Sequence, residues 1–184
     1  SGVLRLMTPI IFASLAALIA RRSGITNMAI EGTMLFAALF AVIGSAYTQS
    51  VIVGVLSGVV VGVIISLILA FFKINMKTDE LLVAIALNLL ATGATIFILY
   101  LVSGERGTSA ALDSKVVPNL VIPGLMNVPI LGNLILGHNI LVYVAIASVF
   151  FMNILLFKTS LGLRIRAVGG NPGAATSVGV SVVK

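Results

Sequence analysis

This 184-residue chain contains no cysteine, one histidine and only five acidic residues. Without cysteine there is no disulfide framework, and the redox compartment leaves no mark on the sequence. The lone His138 stands at the outer end of a connection, with no carboxylate or second histidine at ligand spacing, so no metal site is expected. No G-x-x-x-x-G-K-[ST] phosphate loop occurs, which excludes ATP hydrolysis by that route. No serine and histidine stand within helix spacing, so an intramembrane hydrolase would lack its nucleophile and base. The sequence offers no catalytic residue, and no cofactor is expected.

Charge is scarce as well. Charged residues make up 9% of the chain, hydrophobic residues 60%, and the mean hydropathy is +1.24. A soluble domain carries roughly a quarter charged and about half apolar residues. In lipid every backbone N–H and C=O must be satisfied internally, so apolar runs of spanning length form helices or barrel strands. The runs here are continuous rather than alternating, which excludes the barrel. The expected fold is all-α: a polytopic helical bundle in contact with membrane lipid. The net charge of +6 belongs to the membrane flanks and is not read as a nucleic-acid patch.

Five spans are expected, over residues 4–20, 33–47, 51–72, 81–102 and 140–157. The second is short against the ~20 residues a helix needs to cross a bilayer. Lys and Arg set the orientation. Arg21, Arg22, Lys73, Lys77, Lys158, Arg164, Arg166 and Lys184 fall on one side, and only Arg5, Arg106 and Lys115 on the other. The positive-inside tendency therefore puts the N-terminus outside and the tail 159–184 in the cytoplasm. The connection 103–139 is then extracytoplasmic, and its apolar content suggests a short re-entrant or surface-lying helix around 130–136 or an apolar loop on the helix ends. The opening Ser1-Gly2, without an initiator Met, suggests a processed or trimmed fragment, with residues 1–184 forming one membrane domain.

Polar residues inside the spans need a reason, because a charge at a helix centre costs at least ~2.5 kcal/mol on insertion scales. Glu31 lies in Ser23-Gly-Ile-Thr-Asn-Met-Ala-Ile-Glu-Gly, bracketed by Gly24 and Gly32. One reading is a discontinuous helix that turns near Gly24 and re-enters with Asn27 and Glu31 on one face, lining a substrate path. The other is a helix start, with Asn27 as cap and Glu31 at the positive helix end. Asn88, Thr92 and Thr95 form a second polar stripe at i, i+4 and i+7; they line a cavity or bond across to neighbouring helices. Asn153 is read in the same way. Gly54, Gly58 and Gly62 make a small-residue seam for helix packing. Thr78-Asp79-Glu80 reads as a helix start, a cap followed by acids.

The tail Thr159-Ser-Leu-Gly-Leu-Arg-Ile-Arg-Ala-Val-Gly-Gly-Asn-Pro-Gly-Ala-Ala-Thr-Ser-Val-Gly-Val resembles the cytoplasmic loop of permease subunits of bacterial ABC importers. The likeness is to the branched-chain amino acid, ribose and nucleoside permease group. Ser23-Gly-Ile-Thr-Asn-Met-Ala-Ile-Glu-Gly-Thr-Met-Leu is similar to the S-G-x-x-N-I-G-x-E-G-x-M-L stretch of the simple-sugar and nucleoside permeases, with Met28 and Ala29 in place of isoleucine and glycine. Glu80-Leu-Leu-Val-Ala-Ile-Ala-Leu-Asn-Leu-Leu-Ala is similar to their next span, with Asn88 at the matching asparagine.

The resemblance implies a permease in the bacterial plasma membrane that moves a nucleoside or simple sugar. It implies partners: ABC ATPase subunits that hydrolyse ATP, a second permease subunit, and an extracytoplasmic substrate-binding protein. It further implies that residues 171–180 form a coupling helix that docks on the ATPase. Asn171 as cap, Pro172 in the first turn, slim Ala174 and Ala175, and Gly179 as a stop suit that helix. Arg164, Arg166 and Gly170 lead into it. An ion-coupled secondary transporter, with Glu31 at its centre, and a non-transporting membrane scaffold are the readings from other classes.

Overall fold

The computed structural model describes residues 2–104, 108–109, 112–118, 139–177 and 179. The expected helix around 130–136, along with Arg106, His138, Val180 and Lys184, lies outside the described residues. Among the described residues seven helices run in chain order and no strand occurs: α1 Gly2–Arg22, α2 Ile30–Thr48, α3 Val51–Ile74, α4 Glu80–Ser103, α5 Ile140–Lys158, α6 Ser160–Gly170 and α7 Pro172–Ser177. The first five are long and apolar enough to cross a membrane. Few of their side chains are covered by the chain itself, as expected where lipid or other protein replaces water.

The helices form two compact units, Thr26–Val116 and Ser1–Ile25 with Val117–Lys184. In the first, α2, α3 and α4 pack through small residues. Ala29, Leu69 and Ala84 make one buried cluster, and Phe36, Ile65 and Ala91 a second. The second helix runs from Ile30 to Thr48, starting three residues earlier and ending one later than the expected span, which brings it to 19 residues. Its N-terminal turn holds Glu31 and the buried Gly32. A tight turn through Gln49, at φ 52°, reverses the chain into α3. There Gly54 and Gly58 face α2: a Cβ on Gly54 would lie 2.8 Å from the Ser45 Cβ, and one on Gly58 would lie 2.9 Å from the Ala37 carbonyl oxygen. Gly62 differs from its two neighbours in the seam, because its nearest contact would be Thr33 Cγ2 at 3.9 Å.

In the other unit α1 and α5 pack side by side with their N-terminal ends together. Arg5, Thr8 and Pro9 line a cavity of about 160 Å³ with Asn139, Leu141 and Val142. Asn139 caps α5 by accepting from the Leu141 N–H at 3.1 Å. The chain then folds back on itself at Thr159, whose hydroxyl accepts from the Gly162 N–H at 3.2 Å and caps α6. Gly162 is buried against the Leu155 and Leu156 carbonyls, where a side chain has no room. A helix over 160–170 was not among the expected elements, and its glycines weigh against one by propensity. Packing on the end of α5 decides the matter instead, and the glycines permit that packing.

Candidate substrate path and coupling segment

Helical order stops after Arg22, turns at Gly24 (φ 87°) and resumes at Ile30. Asn27 lies in the non-helical lead-in, where its Oδ1 accepts from the Ala29 N–H at 3.0 Å. Asn27 and Glu31 therefore do not share a helical face, and the residue at the helix N-cap is Ala29, with no side-chain cap bond. The capping group comes from another helix. Asn88 on α4 accepts from the Gly32 N–H at 2.9 Å and donates through Nδ2 to the Met28 carbonyl at 3.1 Å. Gly32 makes this approach possible, since a Cβ there would lie 2.8 Å from Asn88 Oδ1 and 3.1 Å from the Leu87 carbonyl oxygen.

Glu31 is exposed on the first turn of α2 and has no ion-pair or hydrogen-bond partner among the described residues. Of the α4 stripe, Thr92 bonds back to the Asn88 carbonyl at 2.9 Å and Thr95 to the Ala91 carbonyl at 2.6 Å. Both hydroxyls are thus satisfied within their own helix. Thr92 is exposed and Thr95 half-buried. Asn153 is exposed on α5.

A residue that the sequence marked only as an acid at a helix start joins three segments. The Glu80 carboxylate pairs with Lys73 at the end of α3 and accepts from the Thr26 N–H at 2.5 Å. The cap of α4 is Asp79 rather than Thr78, and it accepts from the Leu81 N–H at 2.8 Å. Around them lies an open cleft of about 560 Å³, lined by Thr26, Met28, Lys73, Lys77 and Leu81 among others. The long reach of Glu80, 54 residues back to Thr26, was not readable from local spacing.

Beyond α5, Asn171 caps α7 by accepting from the Ala174 N–H at 3.1 Å, and the chain turns at Gly179 (φ 85°). The two alanines do not present a common free surface: Ala174 is exposed, whereas Ala175 is buried. Arg164 is exposed, and Arg166 stacks over the Phe157 ring. Gly170 has open space beside it, while Gly169 lies against the Arg22 carbonyl and the Gly24 turn. Gly169, absent from the sequence-derived set, is therefore the glycine that joins α6 to the end of α1.

Five apolar helices of membrane length, arranged with a short capped helix beyond the last, define a polytopic helical membrane protein. The chain belongs to the family described as "branched-chain amino acid transport system / permease component", whose model matches residues 1–184. This is a family of transport permeases rather than enzymes. The chain is 33% identical to the guanosine ABC transporter permease protein NupQ of Bacillus subtilis (strain 168), over 96% of this chain and 57% of that protein. It is 28% identical to the nucleoside ABC transporter permease protein NupC of Lactococcus lactis subsp. cremoris (strain MG1363), over 95% of this chain and 56% of the relative. A putative glucose ABC transporter permease protein, TsgC13 of Haloferax volcanii, is 29% identical over 96% of this chain and 53% of its own length. The chain thus spans about half the length of the curated relatives it matches. No solved structure matches it.

Proposed function

We propose that this chain forms part of the membrane-spanning subunit of an ATP-binding-cassette importer that carries a nucleoside across the bacterial plasma membrane. Two relatives carry nucleoside or guanosine in their names and one carries glucose, which favours the nucleoside over the sugar. ATP binding and hydrolysis belong to partner subunits in this reading. A second permease subunit completes the path, and an extracytoplasmic binding protein delivers the substrate. The polar elements of the path are Glu31 and the Asn27, Asn88, Thr92 and Thr95 groups, with the tail in the cytoplasm.

The observation that carries the reading is α7. It is a six-residue helix, capped by Asn171 and held on α6, far too short to span a bilayer and with Ala174 exposed on its surface. A stiff, slim, capped segment of this kind suits insertion into a groove on a soluble subunit. The test is full-length protein co-expressed with its ATP-binding subunits, wild type against Ala174→Glu. The expected result is loss of the ATPase from the purified complex and loss of nucleoside uptake, with membrane insertion intact. If uptake survives and follows the proton or sodium gradient, the importer assignment is wrong.

A further inference from the structure

All five acidic residues lie between Glu31 and Asp113, so the unit made of Ser1–Ile25 and Val117–Lys184 contains none. Five of its six described positive charges nevertheless gather at one end, Arg5 alone lying at the opposite end of α1. Arg21 and Arg22 close α1, Lys158 closes α5, and Arg164 and Arg166 sit on α6, which folds back there. Two of them share a single aromatic ring. The guanidinium carbon of Arg22 lies 5.9 Å from the Phe157 ring centroid and that of Arg166 lies 5.2 Å from it. Among the described residues no carboxylate pairs with either arginine.

This arrangement is unusual in what it leaves open. Stacking uses the flat face of a guanidinium and leaves its in-plane N–H donors free for planar anion recognition. Arg166 commits one donor, Nε, to the Gly162 carbonyl at 3.4 Å. The ring restrains two long side chains that would otherwise lose much rotamer freedom on binding, so the donors are held ready for an anion. Position then selects the anion. Phe157 is next to last in a membrane-length helix, and Arg22 ends another, so the pair sits where hydrocarbon gives way to headgroups. Below it Phe150 and Ile154 share the helical face of Phe157 at i, i+4 and i+7, and all three are more than half exposed. That stripe offers an acyl chain an apolar track leading up to two phosphate-binding side chains.

We infer that Arg22 and Arg166, held on Phe157, bind the phosphodiester headgroup of an anionic phospholipid whose chain lies along Ile154 and Phe150. The site is wholly within one unit and is independent of the importer reading. It differs from a general basic flank because the ring singles out two of five charges.

The test is native mass spectrometry of the full-length protein in micelles doped with either phosphatidylglycerol or phosphatidylcholine. The wild type should retain phosphatidylglycerol several-fold over phosphatidylcholine. The double variant Arg22→Gln, Arg166→Gln should lose that preference, and Arg21→Gln, Arg164→Gln, which removes the same charge away from the ring, should keep it. Phe157→Leu keeps every charge and removes the platform; it should weaken the preference while the protein remains monodisperse. Equal loss in both double variants, or no preference in the wild type, would overturn the site. So would displacement of the lipid by inorganic phosphate, which would make this a free-anion site. Loss of an ATPase subunit from the Arg22→Gln, Arg166→Gln protein with lipid retention unchanged would assign the arginines to a protein partner instead.

Discussion

The carboxamide of Asn88 on α4 spans the first turn of α2, accepting from the Gly32 N–H at 2.9 Å while donating to the Met28 carbonyl at 3.1 Å. A helix start carries N–H groups without intrahelical partners, and in a lipid environment no water supplies them. Asparagine offers a donor and an acceptor on one planar group, which is what this approach needs. Gly32 brings the two helices close enough for the exchange, and the buried Ala29 and Ala84 pack beside it.

Truncating the amide should therefore cost stability more than a single surface hydrogen bond would. Inter-helix hydrogen bonds in membranes average roughly 0.6 kcal/mol and reach about 1.7, so Asn88→Ala, which removes two, is expected to lose about 1–3 kcal/mol. Asn88→Asp keeps the acceptor and loses the donor, and it should fall between wild type and alanine. Thermal unfolding of the solubilised full-length protein measures both. Equal melting temperatures for all three forms would mean that the clamp contributes nothing.

Gly32→Ala attacks the same contact from the other side. An added Cβ would lie 2.8 Å from Asn88 Oδ1, 3.1 Å from the Leu87 carbonyl oxygen and 3.2 Å from the Ala91 Cβ. Two of those three atoms belong to a packed helix and cannot swing away. Overpacking of this kind costs about 1–3 kcal/mol. Combined with Asn88→Ala the penalties should be less than additive, because relief of the clash and loss of the bond involve one site. A double-mutant cycle on unfolding free energy decides this.

Glu80 separates charge from hydrogen bonding. It pairs with Lys73 and also accepts from the Thr26 N–H, and its side chain is 20% exposed against 35% for Lys73. An ion pair this open to solvent is worth roughly 0–1 kcal/mol. Glu80→Gln keeps an acceptor for Thr26 and should change stability little. Glu80→Ala loses both and should release the segment before α2, read as faster hydrogen exchange at residues 25–29. Exchange there that is unchanged in the alanine variant would show that the lead-in is held without Glu80.

The sequence made the membrane helices legible because long apolar runs have one structural outcome in lipid. It also made the Asn171 cap and the Gly179 turn legible, since both are local devices read within a few residues. Contacts that cross the chain were hidden. The sequence offered bonding across to a neighbouring helix as one reading of Asn88 but not its partner, since Gly32 lies 56 residues away. Helix α6 was missed for a related reason. Gly162 and Gly169 count as helix breakers taken singly, yet each is where a backbone carbonyl of another helix lies close.

The glycines of the tail sharpen this into a contrast between neighbours. Gly169 sits against the Arg22 carbonyl and within reach of the Gly24 turn, whereas Gly170 has nothing within 4 Å of where a Cβ would be. Gly169→Ala must therefore push α6 off the end of α1, and α7 moves with it because Asn171 follows directly. Gly170→Ala leaves that packing alone and should even favour the helix, by up to about 1 kcal/mol on propensity. If α7 carries the link to an ATP-binding partner, Gly169→Ala should lower ATP-driven uptake while leaving membrane insertion intact, and Gly170→Ala should not. Uptake measured in the same vesicles for both variants, normalised to inserted protein, makes the comparison. Equal activity in the two would detach the Gly24–Gly169 contact from coupling, and equal loss would place the requirement in α6 flexibility rather than in its docking on α1.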